Sequence, residues 1–144
     1  MNSQGSKGVA RLGPDNFREA TSVAFRESRG RGVLLEEFVE GEEFSVEAFV
    51  LEGKVHNLAV TRKFHYPQNE CIDCRNTYLG DIPIELENRL YSINELIISI
   101  LGLKTGSTHG EYKVLRDRVV LMEIAARGGG GNISGKIIPF LTEF

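Results

Sequence analysis

Thr108-His109-Gly110-Glu111-Tyr112-Lys113-Val114-Leu115, then Arg116-Asp117-Arg118, then Val119 through Arg127-Gly128, is the stretch whose reading decides the fold. Two segments rich in β-branched and apolar residues around a short charged turn read as a β-hairpin. With the three-residue loop Arg116 to Arg118, Leu115 faces Val119 and Glu111 lies directly opposite Glu123. Cross-strand partners share a face, with Cβ atoms about 5 Å apart, and like charges so placed repel. A divalent cation between them reverses the sign of that interaction. Mg²⁺ suits the pair because it binds through one or two carboxylates plus phosphate oxygens. A two-residue loop would instead send the acids to opposite faces. The plainer alternative is an edge hairpin carrying two solvated glutamates.

After the hairpin come Ile124-Ala125-Ala126, Arg127 and four consecutive glycines, Gly128 to Gly131, before Asn132. Such a run is a poor strand or helix interior, because each glycine loses much backbone freedom on ordering. It suits a place where the main chain passes close to a ligand and offers N–H groups to an anion. Arg127 adds a fork of donors matched to phosphate or carboxylate. A flexible linker fits less well, since the apolar run Ile137 to Leu141 follows soon after.

A chain of 144 residues, 41% apolar and 26% charged, has the composition of an ordinary globular domain with a real core. Its net charge of −3 gives no reason to expect nucleic acid or an anionic membrane as partner. No apolar run reaches bilayer-spanning length and no signal peptide opens the sequence, so the expected location is cytoplasmic. The segment Gly5-Ser6-Lys7-Gly8 can cradle phosphate, but it lacks Walker A spacing and also reads as a plain tight turn. Its position so near the first residue suggests a piece of a longer protein.

Val9 to Leu12 reads as a short strand, and Gly13-Pro14-Asp15 as the turn and cap of a helix carrying Phe17, Ala20, Ala24 and Phe25. Arg29 to Gly32 reads as a solvated basic loop. Val33 to Val39 is expected to be a strand. Glu43 to Leu51 alternates, with Phe44, Val46, Ala48 and Val50 on one face and Glu43, Ser45 and Glu47 on the other. The face with Glu43 and Glu47 is expected to be wet. Glu52-Gly53 is a hairpin turn into Lys54 to Thr61. Phe64 to Gly80 is expected to be irregular, broken by Pro67, Asn69, Asp73 and Asn76. Cys71 and Cys74 read as reduced thiols, because a structural zinc site needs four ligands. From Pro83 a helix runs to about Leu101, with Leu86, Leu90, Ile93, Ile97 and Ile100 as its core stripe, and Gly102 stops it. His109 reads as a strand residue with a satisfied hydrogen bond.

The order of glycine loop, Glu36-Glu37-Phe38-Val39, Glu43 and acid hairpin resembles the ATP-grasp superfamily over Ser3 to Asn132. The Glu-Ile-Ala-Ala-Arg-Gly-Gly-Gly-Gly pattern is similar to the branch of L-amino-acid ligases. The resemblance implies an α+β fold: the end of the lid lobe over residues 1–38, then the nucleotide- and metal-binding core over 39–144, a largely antiparallel sheet with one long packed helix. It implies that Gly5, Ser6, Lys7 and Gly8 close over the phosphates of ATP. Glu36 would meet the adenine amino group, the main chain of Glu37, Phe38 and Val39 the ring edge, and Glu43 the ribose. Glu111 and Glu123 would hold Mg²⁺ or Mn²⁺, and Arg127 would steady the transferring phosphoryl group. Many members carry an asparagine two residues after the second glutamate, where this chain has Ala125. The strand with the family's phosphate-binding lysine and the domain before it are absent from the sequence. The activity implied is activation of a small-molecule carboxylate as an acylphosphate for attack by an amine, in a polypeptide that supplies the missing parts. Alternatives are bicarbonate activation, a nucleotide-binding module without catalysis, and a small interaction domain.

Overall fold

A computed structural model of the chain describes residues 6–78 and 82–142, the side chains of residues 69 and 70 aside. Two compact units emerge: residues up to Val39 together with Phe64–Arg75, and Glu40–Lys63 together with the residues from Asn76 onward.

In the first unit, helix α1 spans Phe17–Glu27 and buries none of its residues. Its start is tied by Asn16, which accepts from the Gly13 N–H at 2.8 Å and donates to the Arg11 carbonyl at 3.1 Å. Neither of the two expected strands forms: residues 9–13 and 32–40 have no ladder partner among the described residues and stay irregular. Apolar β-branched character alone makes no strand without a neighbour to accept its hydrogen bonds.

Five strands make one sheet in the order β3-β2-β1-β4-β5. They are β1 (Glu42–Leu51), β2 (Lys54–Tyr66), β3 (Asn69–Tyr78), β4 (Gly106–Leu115) and β5 (Arg118–Ala125). The β1–β2 turn is Glu52-Gly53 as expected, and both residues hold positive φ, 52° and 82°. That backbone suits the right-handed twist of a two-residue hairpin. The expected irregular stretch is instead the end of β2, a turn at Pro67-Gln68, and β3. Its breakers are tolerated because β3 is an edge strand, which demands neither a full ladder nor an apolar face.

Helix α2 (Ile84–Leu101) runs from Pro83 to a left-handed Gly102. It lies on one face of the second unit's strands. Phe44, Val46, Val60 and Tyr112 pack there with Leu90, flanked by Leu86, Ile93 and Ile97. Ala48 and Val50 pack with Ile98. Ile100, expected in this stripe, is 74% exposed, and Asn94 and Ile98 take the buried positions that follow Leu90. Asn94 is satisfied: it accepts from the Tyr112 hydroxyl at 2.7 Å and donates to Asn57 Oδ1 at 2.8 Å. Among the described residues no helix is long and apolar enough to cross a membrane.

The hairpin β4–β5 departs from the expected loop and keeps its expected result. Leu115 pairs with Arg118, so the loop is two residues, Arg116 and Asp117. Continued regularly, that register would put Met122 opposite Glu111 and turn Glu123 to the other face. A bulge beside Glu111/Tyr112 absorbs one extra β5 residue, and Glu111 then pairs with Glu123.

Leu90 is fully buried at the centre of the apolar cluster. Leu90→Ala should lower the unfolding free energy by about 2–5 kcal/mol through the cavity it leaves. Urea denaturation is the measurement, and a loss below that range would show that the helix does not anchor this core.

Candidate functional site

The face of the sheet away from α2 is built by register. β1 places Glu43, Ser45 and Glu47 on it, since alternate residues share a side. Pairing with β2 sets Lys63 beside Glu43 and Thr61 beside Ser45. Pairing with β4 sets Lys113, Glu111 and His109 beside Glu43, Ser45 and Glu47, and β5 adds Glu123 next to Glu111. The wet face expected of β1 is not found. Ser45 and Glu47 are 1% and 2% exposed, because the chain from Gly129 onward packs over this face, with the Gly129 N–H on Glu47 and Ile133 and Ile138 against Ala59.

Burial of acids there is possible because cations alternate with them. Lys63 Nζ donates to Glu111 Oε1 at 2.5 Å and is 3.2 Å from Glu43 Oε1. His109 Nε2 reaches the same Glu111 oxygen at 3.2 Å, while Nδ1 makes a short contact with Glu47 Oε1. Glu47 Oε2 accepts from the Gly129 N–H at 3.0 Å. The Ser134 hydroxyl donates to the Gly129 carbonyl at 2.9 Å, which steadies the glycine loop from its far side. The hydroxyls of Ser45 and Thr61 are buried on this face without a hydrogen-bond partner.

These contacts set the charge states. Burial opposes a charge on His109, but hydrogen bonds to Glu111 and Glu47 and their negative charges outweigh it and raise its pKa to about 9. The hydrogen bond from His109 brings Glu111 down to about 2, against burial and with help from Lys63. Lys63 is also held charged: burial lowers its pKa, and Glu111 and Glu43 together raise it by more. Near neutral pH this face therefore carries an imidazolium and an ammonium between carboxylates.

The residues singled out from the sequence fall in both units. In the first, Ser6, Lys7 and Gly8 form a turn closed by Val9 N–H donating to the Ser6 carbonyl at 3.1 Å; Gly5 lies outside the described residues. Glu36 and Glu37 are exposed, and Phe38 and Val39 half-buried, with the Arg11 guanidinium 3.9 Å above the Phe38 ring. In the second, Glu43, Glu111 and Glu123 share the ionic face. Arg127 is exposed just beyond β5 and donates to the Gly128 carbonyl at 2.9 Å. Cys71 and Cys74 stand three apart on β3, an odd step that turns them to opposite faces.

Sequence reasoning passed over Lys63, Glu47 and His109. Only the pairing of β1 with β2 and β4 makes them neighbours of the acids, and no local spacing encodes that pairing. The clue available was the alternation itself, which puts Glu43 and Glu47 on one side of β1 and His109 and Glu111 on one side of β4.

Two carboxylates are the groups on this face that could hold a metal ion. Among the described residues no group of three or more His, Cys, Asp or Glu side chains is arranged to hold an ion. Glu111, its side chain 24% exposed, and Glu123, exposed beside it, are two carboxylates in register. Magnesium is held in this way by one or two carboxylates, with phosphate oxygens and water completing the shell. Both cationic neighbours of Glu111 sit on Oε1.

Residues 10–136 match the ATP-grasp domain family. Among solved structures, the chain is similar to an L-amino acid ligase from Bacillus licheniformis, at 24% identity and a TM-score of 0.62, over 83% of this chain and 30% of that one. It is similar to phosphoribosylglycinamide synthetase from Anaerococcus prevotii, at 20% identity and a TM-score of 0.63, over 84% of this chain and 32% of that one. A third is the biotin carboxylase domain of Hydrogenobacter thermophilus 2-oxoglutarate carboxylase, solved with MgADP, ADP and bicarbonate. There the identity is 14% and the TM-score 0.75, over 99% of this chain and 32% of that one. At such identities the likeness concerns the fold, and the chain spans about a third of the length of these proteins. No curated protein sequence matches it.

The buried charges make stability depend on pH. His109 titrates near 6.5 unfolded and near 9 folded, so its contribution is complete below pH 6.5 and is lost as pH rises through about 9. Glu111, lowered from 4.5 to about 2, contributes above pH 4.5 and loses that contribution as pH falls through about 2. Urea midpoints of the metal-free protein should fall between pH 6.5 and 9, and His109→Gln should flatten that fall. Parallel profiles for the two proteins would contradict the charge assignment.

Proposed function

The chain belongs to the ATP-grasp domain family, and on that premise we propose that its polypeptide is an ATP-dependent carboxylate–amine ligase. A carboxylate oxygen of one substrate attacks the γ-phosphorus of ATP and ADP leaves. The amine nitrogen of the second substrate then attacks the acyl carbon, a C–N bond forms, and inorganic phosphate departs. The observation that carries this reading is the bulge-enforced pairing of Glu111 with Glu123 on a sheet face already organised around charge. Two adjacent carboxylates at an otherwise repulsive register are what a phosphate-bound Mg²⁺ or Mn²⁺ would use. The metal, when bound, neutralises charge on the phosphate oxygens.

The chain's own residues bind and orient. Glu111 is kept ionised by His109 and Lys63, so it is ready to accept a cation without losing a proton. Glu43 faces the ribose hydroxyls while sharing Lys63. Arg127, exposed and with its guanidinium anchored on the Gly128 carbonyl, steadies the transferring phosphoryl group or the acylphosphate. The glycine loop beside it brings main-chain N–H groups to an anion. In residues 1–38, taken as the lid, Gly5 to Gly8 cover the phosphates. Glu36 accepts from the adenine amino group, and the main chain of Glu37 to Val39 meets the ring edge. Residues 39–144 form the nucleotide- and metal-binding core. Positioning and electrostatics supply most of the acceleration in such a transfer.

A second reading, activation of bicarbonate, is favoured by the fold's likeness to the carboxylase domain solved with MgADP and bicarbonate. Measuring ADP release by the natural-length polypeptide separates the two readings: amino-acid carboxylates should trigger it and bicarbonate should not. Binding of Mg-ATP with no acid triggering release would leave a nucleotide-binding module instead. Glu123→Gln should lower turnover by at least roughly 10–100-fold, the loss seen even for indirect partners of a metal. Because Glu123 is exposed, its stability should move by no more than about 0.5 kcal/mol. Undiminished turnover in that variant would remove the metal assignment.

A further inference from the structure

Glu47 has no part in the nucleotide reading, yet among the described residues it is the buried acid, at 2% exposure. Its two oxygens go to two different elements. Oε1 meets His109 Nδ1 on β4, and Oε2 accepts from the Gly129 N–H at 3.0 Å in the loop beyond β5. The imidazole passes the contact on, with Nε2 3.2 Å from Glu111 Oε1. One enclosed carboxylate thus ties the metal-ligand strand to the glycine loop.

The loop's sequence answers to this arrangement. A Cβ on Gly129 would stand 2.7 Å from Glu47 Oε1, 3.0 Å from His109 Nδ1 and 3.1 Å from Ile133 Cδ1. Real Cβ atoms essentially never come so near an oxygen. A side chain at position 129 would therefore have to displace the carboxylate–imidazole pair. Gly130, by contrast, has nothing within 4 Å of a would-be Cβ, and a Cβ on Gly128 would meet Ser134, so within this run it is position 129 that abuts the carboxylate–imidazole pair.

We propose that Glu47 is a positioning residue for the metal site: through the His109 ring it orients the Glu111 carboxylate, and through the Gly129 amide it holds the glycine loop against the same face. The proposal rests on the reading of Glu111 as a metal ligand. Carboxylates that bind metals are themselves hydrogen-bonded, and loss of such an indirect partner costs roughly 10–100-fold in metal affinity. A carboxylate with one oxygen on each partner restrains both at once.

The test is a Mn²⁺ titration of the natural-length polypeptide, followed by electron paramagnetic resonance, with a non-hydrolysable ATP analogue bound. Glu47→Ala should weaken Mn²⁺ roughly 10–100-fold and weaken metal-free binding of the analogue by a smaller factor, through the loosened glycine loop. Glu47→Gln, nearly isosteric, keeps an oxygen for the Gly129 N–H and should fall between Glu47→Ala and the parent; it also keeps the test valid if the alanine variant does not fold. Gly129→Ala should weaken Mn²⁺ as well. Its effect should shrink in a Glu47→Ala background, because the oxygen it strikes is gone, so the two changes should not add. If Glu47→Ala and Glu47→Gln lower the melting temperature while Mn²⁺ affinity stays at the parent value, Glu47 is only structural and the proposal is overturned. If the parent polypeptide itself takes up no Mn²⁺ with the analogue, the ligase reading falls first and this proposal falls with it.

Discussion

An acid can be taken out of water only if something positive is taken with it. The effective penalty for an unpaired buried ion is several kcal/mol, more than any single apolar contact returns. The ionic face of the sheet meets that constraint by strict alternation: Glu43, Lys63, Glu111, His109, Glu47, then the Gly129 amide. Each cation touches two acids. Glu111 is the member touched by two cations, and it has the lowered pKa, about 2. The same arrangement that makes the face foldable thus leaves one carboxylate firmly ionised at its edge.

The two faces of β1 are buried by different chemistry. Toward α2, Phe44, Val46 and Val50 lose their apolar area to Leu90 and Ile98. On the other side, Ser45 and Glu47 are equally enclosed but by polar partners, with the Ser45 hydroxyl left without one. A central strand with one apolar face and one ionic face fixes how its neighbours must align. A one-residue slip of β4 would bring Glu111 and His109 onto the apolar cluster and Tyr112 onto the charges. Register here is enforced from both sides.

That enforcement explains the bulge. The tight Arg116-Asp117 loop sets a register in which the acids of β4 and β5 would diverge, and one extra residue in β5 corrects it. Edge strands take such insertions readily because their outer groups need no partner. Leu121 and Met122, at the bulge, are 38% and 36% exposed, as expected of a strand with nothing beyond it. A second shift, between Glu47 and Ala48 in the pairing with β2, falls beside the buried carboxylate. Both irregularities sit where a side chain has to be aimed.

Local features were legible without coordinates. The Glu52-Gly53 turn, the alternation of β1 and the stripe of α2 up to Ile97 follow from neighbours within a few residues, and the folded chain shows them. So does the opposition of Glu111 and Glu123, although by a shorter loop and a bulge in place of the expected longer loop. The strand expected over Val33 to Val39 failed because pairing requires a partner that those residues cannot specify. The irregular stretch expected after Phe64 became β3 because an edge strand obeys weaker rules than a central one. By itself the sequence determined periodicity and turns, which act over short spans of chain, and the family pattern, which is carried by the order of motifs along it. Only the tertiary structure decided that Lys63, His109 and Glu47 stand among the acids, because contacts between strands tens of residues apart depend on register, which no single segment contains.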